Sequence, residues 1–342
     1  MVGYRVAVAG ATGLVGRTIL RVLEEREFPV EELVPLASER SAGTVLPFRG
    51  GDVEVGVLDE DSFAGCDLAF FSAGAAVSRR FSPHAAKHVP FVVDNSSAFR
   101  QDPAVPLVVP EVNAHVLRGY RGIVANPNCS TIQMVVALQP LHAAFGLESI
   151  IVSTYQSVSG TGAKGVVALD HEVRSGERHP DSPYPHAIAF NALPHIDVFD
   201  DQGWSGEERK MIAETRKIMG LPSLHIVPTT VRVPVRVGHS ESVYARFAHP
   251  IAVAEAKSVL MGAPGVIVQD DPARNEYPLA LQVAGRDEVF VGRLRQDPED
   301  DHALLLWVVS DNLRKGAATN AVQIGELAMF QLVDRGREAQ YV

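Results

Sequence analysis

The sequence predicts an α/β protein of two domains, a parallel sheet built from βαβ units followed by a second domain with a mixed sheet. Three observations carry this. At 342 residues the chain exceeds one ordinary core, taking roughly one domain per 150 residues. Its first 125 residues alternate strand-like apolar runs with helical patterns, as βαβ units do. From about residue 150 to 310 the runs become longer and richer in β-forming residues.

In order, "YRVAVAG" reads as a strand and "LVGRTILRVLEER" as the helix after it. "ELVPLAS" and "DLAFFSAG" are strands, "VSRRFSPHAAKHV" a helix and "PFVVDNSS" a further strand. Each strand ends in small or polar residues, and open α/β sheets bind ligands beyond the carboxyl ends of their strands, so that edge is the expected working face. In the second domain "SIIVSTYQSV", "TTVRVPVRV", "SVYARFAHPI" and "HALLLWVVSD" read as strands, with "EERKMIAETRKIMG" as a helix between them. The tail "GAATNAVQIGELAMFQLVD" sets Ala321, Ile324, Leu327, Ala328 and Leu332 at helical spacing. Such a stripe needs a partner surface, read here as the first domain. "RQDPED" and "HPDSP" are expected surface loops.

A composition of 46% hydrophobic and 21% charged residues excludes a disordered chain. A net charge of -10 without a Lys/Arg run argues against nucleic acid as a partner and for small molecules. The opening "MVGYRVAVAGATG" lacks a basic segment followed by a long apolar one, and no apolar run approaches the ~18 residues that span a bilayer. The expectation is a cytoplasmic protein with no membrane partner. Two cysteines, Cys66 and Cys129, are no disulfide framework in a reducing compartment.

"GATGLVG" sets Gly10, Gly13 and Gly16 between an apolar strand and an amphipathic helix. There a glycine permits the tight turn, the helix N-terminus offers N–H groups and a positive dipole to a pyrophosphate, and Gly16 allows close helix–strand approach. No GK followed by Ser or Thr occurs, which excludes a P-loop. The second glycine cluster, "SVSGTGAKG", reads as a backbone loop near cofactor or substrate. At the end of the second strand, "LASERSAG" gives opposing cues. Glu39 suits an adenosine 2′-OH and hence NAD, while Ser38, Arg40 and Ser41 suit a 2′-phosphate; the balance favours NADP.

"NPNCSTIQ" leads into the apolar run "STIQMVVALQPL". The spacing predicts a helix there, with Ser130 or Thr131 as N-cap and Pro140 kinking or ending it. Cys129 is thereby placed at a helix N-terminus, where dipole and N–H groups favour a thiolate. On the residues alone Cys129 is either a nucleophile or a small buried hydrophobe, whereas Cys66, leading into a hydrophobic strand, reads as buried. His84 and His88 share a helical face without a third ligand, so no metal is expected.

Taken together, "GATGLVG", "LASERSAG", "DNSSAFR", "NPNCSTIQ", "TYQSVSGTG", "EERKMIAETRKI", "RVPVRVGHSE" and "SDNLRKGAA" resemble the aspartate-β-semialdehyde dehydrogenases over nearly the whole chain. The resemblance implies a Rossmann-like nucleotide-binding domain, 1–128 with a returning C-terminal helix in 312–342, and an α+β catalytic and dimerisation domain over 129–311. It implies a homodimer, NADP(H), and the reversible reductive dephosphorylation of L-aspartyl-4-phosphate to the semialdehyde through a Cys129 thioester, with inorganic phosphate released, in lysine, threonine and methionine biosynthesis. His239 then matches the acid/base, which suits imidazole because its pKa lies near neutrality. Arg232 matches the clamp on the α-carboxylate and Glu207 the partner of the ammonium, while Arg100 and Lys210 match the phosphate contacts. Gln156 matches a residue that positions the acyl group, and Asn128 is placed to polarise its oxygen. On the cofactor side Thr12, Gly13, Leu14 and Val15, Arg40 and Ser41, Ser159 and Gly160, and Asn312 carry over.

Two alternatives stand beside this reading. An N-acetyl-glutamyl-phosphate reductase runs the same thioester chemistry, but its acetylated nitrogen gains nothing from a carboxylate such as Glu207. A non-catalytic dinucleotide-binding relative need not keep Cys129, Gln156, Arg232 and His239 in their motifs.

Overall fold

The computed structural model describes residues 3–338, with side chains described as far as residue 330. By compactness the chain divides into two units, one of residues up to Pro127 together with those from Ala317 onward, the other Asn128–Gly316.

In the first unit strand β1 (Tyr4–Ala9) turns through the glycine loop into helix α1 (Leu14–Glu25), followed by β2 (Val30–Ala37). A hairpin of β3 (Val45–Phe48) and β4 (Gly51–Glu54) and the short β5 (Gly56–Val57) come next, then β6 (Leu68–Phe71), α2 (Ala75–His88) and β7 (Phe91–Asp94). The short α3 (Pro110–Asn113) and β8 (Gly122–Ala125) complete this stretch. The expected parallel sheet is present with six strands in the order β5-β2-β1-β6-β7-β8, every neighbouring pair parallel. Its strands are apolar on both faces because both are covered. Val6 and Val8 pack with Ile19, Leu23 and Phe70 on one side, and Ala7 and Ala9 with Phe63, Phe71 and Phe81 on the other. The hairpin, β5 and β8 have no counterpart among the predicted elements; each is short and holds a Gly or Pro, which breaks the apolar run that marks the equally short β6 and β7.

The second unit begins with α4 (Cys129–Phe145), then β9 (Leu147–Gln156), α5 (Ala163–Ser175) and α6 (Gly206–Met219). Strands β10 (His225–Arg232) and β11 (His239–Phe247), α7 (Val253–Met261), β12 (Val266–Val268), α8 (Ala280–Val283), β13 (Val289–Gln296) and β14 (Ala303–Ser310) follow. The sheet is mixed, in the order β10-β9-β11-β14-β13-β12, with β9 parallel to β10 but antiparallel to β11. The run "TTVRVPVRV", expected as one strand, stops at Arg232, because Pro234 offers no N–H to a ladder.

The chain then passes a π-turn at Arg314–Ala318 and enters α9 (Thr319–Glu338). Ala321, Ile324 and Ala328 are fully buried in the core of the first unit, with Leu327 packed against it, so the apolar stripe finds the partner surface it needs. Leu332 lies outside the described side chains. Full burial of one such Ile contributes about 1.5–3 kcal/mol. No helix among the described residues is long and apolar enough to cross a membrane.

Candidate active site

In the first unit Gly10 adopts φ +84 at the end of β1, in the left-handed region that glycine enters without strain. A Cβ at Gly16 would overlap the Gly10 carbonyl oxygen, so α1 can lie this close to the turn only with glycine there. Gly13 caps α1 and has no side chain to accept the first N–H groups, and no acidic residue stands in that turn. Thr12, Leu14 and Val15 line the same turn, whose donors suit a pyrophosphate. Beyond the carboxyl end of β2, Ser38, Glu39 and Arg40 are exposed and Ser41 is half-buried, in a short 3-10 turn. Arg100, buried at the end of "DNSSAFR", donates from Nη2 to the Asn95 carbonyl at 2.8 Å.

In the second unit Cys129 is the first residue of α4 and half-buried. The N-cap is Asn128, not Ser130 or Thr131. Its Oδ1 accepts from the N–H groups of both, at 3.0 and 3.2 Å. With Asn128 extended at φ -62 and ψ 143, the helix starts two residues earlier than a Ser130 cap would allow. Nor does the helix end at Pro140. It runs on to Phe145 and closes on Gly146 at φ 72, because residues 130–138 are buried and tertiary packing outweighs the one hydrogen bond that proline removes.

Asn128 is also gripped from α6. Its Nδ2 donates to Glu207 Oε1 at 2.8 Å and its main-chain N–H to Glu214 Oε2 at 2.6 Å. The start of α6 is itself fixed by a capping box between Ser205 and Glu208. Glu207 accepts in addition from Gln156 Nε2 at 3.1 Å. Lys210, one turn on, lies 3.6 Å from Glu207 but closer, at 2.6 Å, to Asp197.

Gln156 ends β9 and stands opposite Arg232 at the end of β10. The Arg232 Nη1 donates to the Ser157 carbonyl at 2.7 Å, and the Ser157 N–H donates to His239 Nδ1 at 3.0 Å. A main-chain N–H only donates, so Nδ1 accepts and the neutral imidazole carries its proton on Nε2. Among the described residues Nε2 has no hydrogen-bond partner. Burial, helped by the Arg232 charge and opposed by the Gly238 carbonyl, holds the His239 pKa well below 6.5. Gly160 lies over both side chains, since a Cβ there would come 2.8 Å from Arg232 Nη1 and 3.3 Å from His239 Nε2. Asn312 joins the cluster by accepting from the Gly238 N–H and the Ser157 hydroxyl, both at 2.9 Å, and by donating to Ser159 Oγ at 2.9 Å.

The structure thus brings Asn128, Gln156, Glu207, Lys210, Arg232, His239, Ser159, Gly160 and Asn312 into one hydrogen-bonded or contacting set, with Cys129 next in the chain to Asn128. Arg100 and the residues of the glycine turn belong to the first unit. Sequence reasoning missed three residues of this set and its margin. Ser157 orients His239, and Glu214 holds Asn128. Glu241, two residues past His239 on β11, is fully buried, and burial pushes its carboxyl well above the usual range. The Gln133 amide eases this, although neither Glu241 oxygen reaches hydrogen-bond geometry. The seven-residue step from Glu207 to Glu214, two helical turns, is the signal that marks the latter. His84, of the paired histidines, lies 3.7 Å from Glu60.

Comparison with known proteins agrees over both units. Residues 5–120 match the family model of the semialdehyde dehydrogenase NAD binding domain and residues 138–315 that of the semialdehyde dehydrogenase dimerisation domain. The aspartate-semialdehyde dehydrogenase of Aquifex aeolicus is 55% identical over 332 residues, 95% of this chain and 98% of that one. The structure of aspartate semialdehyde dehydrogenase II from Vibrio cholerae, complexed with ASA, matches with a TM-score of 0.92 at 45% identity, covering 96% of this chain and 99% of that one. The Candida albicans aspartate semialdehyde dehydrogenase with NADP matches with a TM-score of 0.76 at 28% identity, covering 96% and 99%. Fold and matches define the semialdehyde dehydrogenase class, a nucleotide-binding parallel sheet joined to a mixed-sheet unit. Within that class the chain belongs to the aspartate-semialdehyde dehydrogenase family.

Proposed function

We propose that the chain is an NADP-dependent, phosphorylating aldehyde dehydrogenase that interconverts L-aspartyl-4-phosphate and L-aspartate-4-semialdehyde. The observation that carries this reading is the connected chain of hydrogen bonds from the Asn128 cap through Glu207 and Gln156 on one side, and from Arg232 through Ser157 to His239 on the other. It joins an anion reader, a cation reader and a proton donor in the unit that presents Cys129.

At the head of α4 the thiolate of Cys129 is stabilised by the helix dipole and attacks the acyl carbon, expelling phosphate and leaving a thioester. Arg232 takes the α-carboxylate, a task suited to its planar fork, and Glu207 the ammonium. Lys210 takes the phosphate by exchanging Asp197 for it. Gln156 positions the acyl group. His239, with its proton on Nε2, supplies that proton to the oxygen of the tetrahedral adduct and recovers it when the adduct collapses to aldehyde and the Cys129 thiolate. Thr12, Gly13, Leu14, Val15, Ser38, Arg40 and Ser41 would hold the dinucleotide in the first unit, and the uncapped first turn of α1 fits its pyrophosphate. When bound, the dinucleotide supplies the hydride for reduction of the thioester. The Candida relative with NADP and the exposed Arg40 support NADP over NAD.

A homodimer is part of the same reading. It is supported by the match to a dimerisation domain and by the outward face of the second sheet, where Ile151 is 53% and Tyr155 37% exposed, the latter packed on Trp307. The N-acetyl-glutamyl-phosphate reductase alternative is not favoured, since the matching relatives act under the aspartate name and the buried Glu207 suits a free ammonium. The test is phosphate-dependent reduction of NADP and of NAD by L-aspartate-4-semialdehyde. Turnover without phosphate, or undiminished in Cys129→Ala, overturns the reaction.

A further inference from the structure

The nucleophile's helix is held at its entry by a residue that the reaction does not consume. Glu214 is fully buried on α6, and its Oε2 accepts the Asn128 N–H at 2.6 Å, across 86 positions of sequence. Asn128 is the N-cap of α4 and the residue before Cys129, so the peptide fixed by Glu214 is the one from which the thiol's own backbone continues. Glu207 grips the same residue by its side chain at 2.8 Å. The two carboxylates stand seven residues apart on one face of α6, so a single rigid helix holds both the main chain and the side chain of the cap.

We propose that Glu214 is a positioning residue for Cys129, acting through the Asn128 peptide rather than by its charge. This rests on the reading of Cys129 as the nucleophile. A short hydrogen bond at the cap sets where α4 begins, and displacement of a reacting atom by about 1 Å can cost 10²-fold in rate. The proposed substrate readers Gln156, on β9, and Arg232, on β10, make no direct hydrogen bond to this peptide. The effect therefore belongs in turnover rather than in substrate binding.

Two conservative variants separate reach from charge. Glu214→Asp keeps the charge and withdraws the acceptor by one methylene, and Glu214→Gln keeps the reach and removes the charge. The measurements are kcat, KM for the semialdehyde, melting temperature, and the rate at which iodoacetamide alkylates Cys129. The Asp variant should lose roughly tenfold to a hundredfold in kcat with KM within about twofold, and its Cys129 should alkylate more slowly in parallel. The Gln variant should stay within about threefold of the parent on both. A fully active Asp variant, or a Gln variant impaired as deeply as the Asp one, overturns the proposal. If Cys129→Ala and His239→Ala turn over normally the reaction itself is wrong, and the alkylation rate still decides whether Glu214 sets the thiol.

Discussion

The two units build their sites in opposite ways. The glycine turn of the first unit is written within seven consecutive residues, "GATGLVG", and its geometry follows from the backbone freedom of Gly10 and the missing Cβ of Gly16. The site in the second unit is assembled from bonds that span 51, 75, 79, 82 and 155 positions of sequence. A local site depends on what a few residues can adopt. A distributed one depends on sheet register and helix docking, so a single side chain there is held by neighbours that a motif does not contain.

This contrast can be broken at four points, in falling order of effect. Cys129→Ala should lower turnover by at least about a thousandfold while the semialdehyde still binds in calorimetric titration, because only the nucleophile is gone. Gly160→Ala tests the distributed site without touching a polar group. Its Cβ would meet Arg232, which is buried and tied to Ser157 and so cannot give way, and kcat should fall by about 10²-fold. Gly16→Ala tests the local site. It should weaken dinucleotide binding by roughly tenfold or more in fluorescence titration and leave the alkylation of Cys129 unchanged, since the lesion stays in the turn. Parallel loss in both units on either glycine variant would erase the distinction.

The smallest effect is on stability. An unfolded Glu241 ionises near pH 4.5, whereas the folded residue keeps its proton well above that. Between those values the folded state binds more protons than the unfolded one, so stability falls as pH rises. Glu241→Gln should flatten this slope in denaturant titrations run at a series of pH values above 4.5. An unchanged slope would mean that the carboxyl is ionised in the fold.

The same contrast explains what the sequence discloses. The parallel sheet, the glycine turn and the start of a helix at Cys129 are legible because each rests on short-range patterns. The capping residue is not. Asn128, Ser130 and Thr131 are all suited to cap, and Asn128 prevails where Glu207 and Glu214 grip it from a helix far along the chain. Pro140 reads as a kink or a stop, and the helix runs on past it because it is buried nearly all round. His239, Arg232, Glu207 and Gln156 are legible through a resemblance spread over distant motifs, whereas Ser157, Glu214 and Glu241 lie inside the same motifs but show what they hold only through strand pairing and helix docking.

The return of α9 has a consequence for synthesis. The second unit is one uninterrupted stretch, Asn128–Gly316, and its sheet is complete once that stretch has left the ribosome. The first unit begins earlier but finishes later, because Ala321, Val322, Ile324, Ala328 and Met329 belong to its core. Until they emerge, the face of the parallel sheet that carries Val6, Val8 and Phe70 lacks part of its cover, and the nascent chain exposes apolar surface. The order of maturation therefore reverses the order of translation, and the nucleotide-binding unit is the last to become whole.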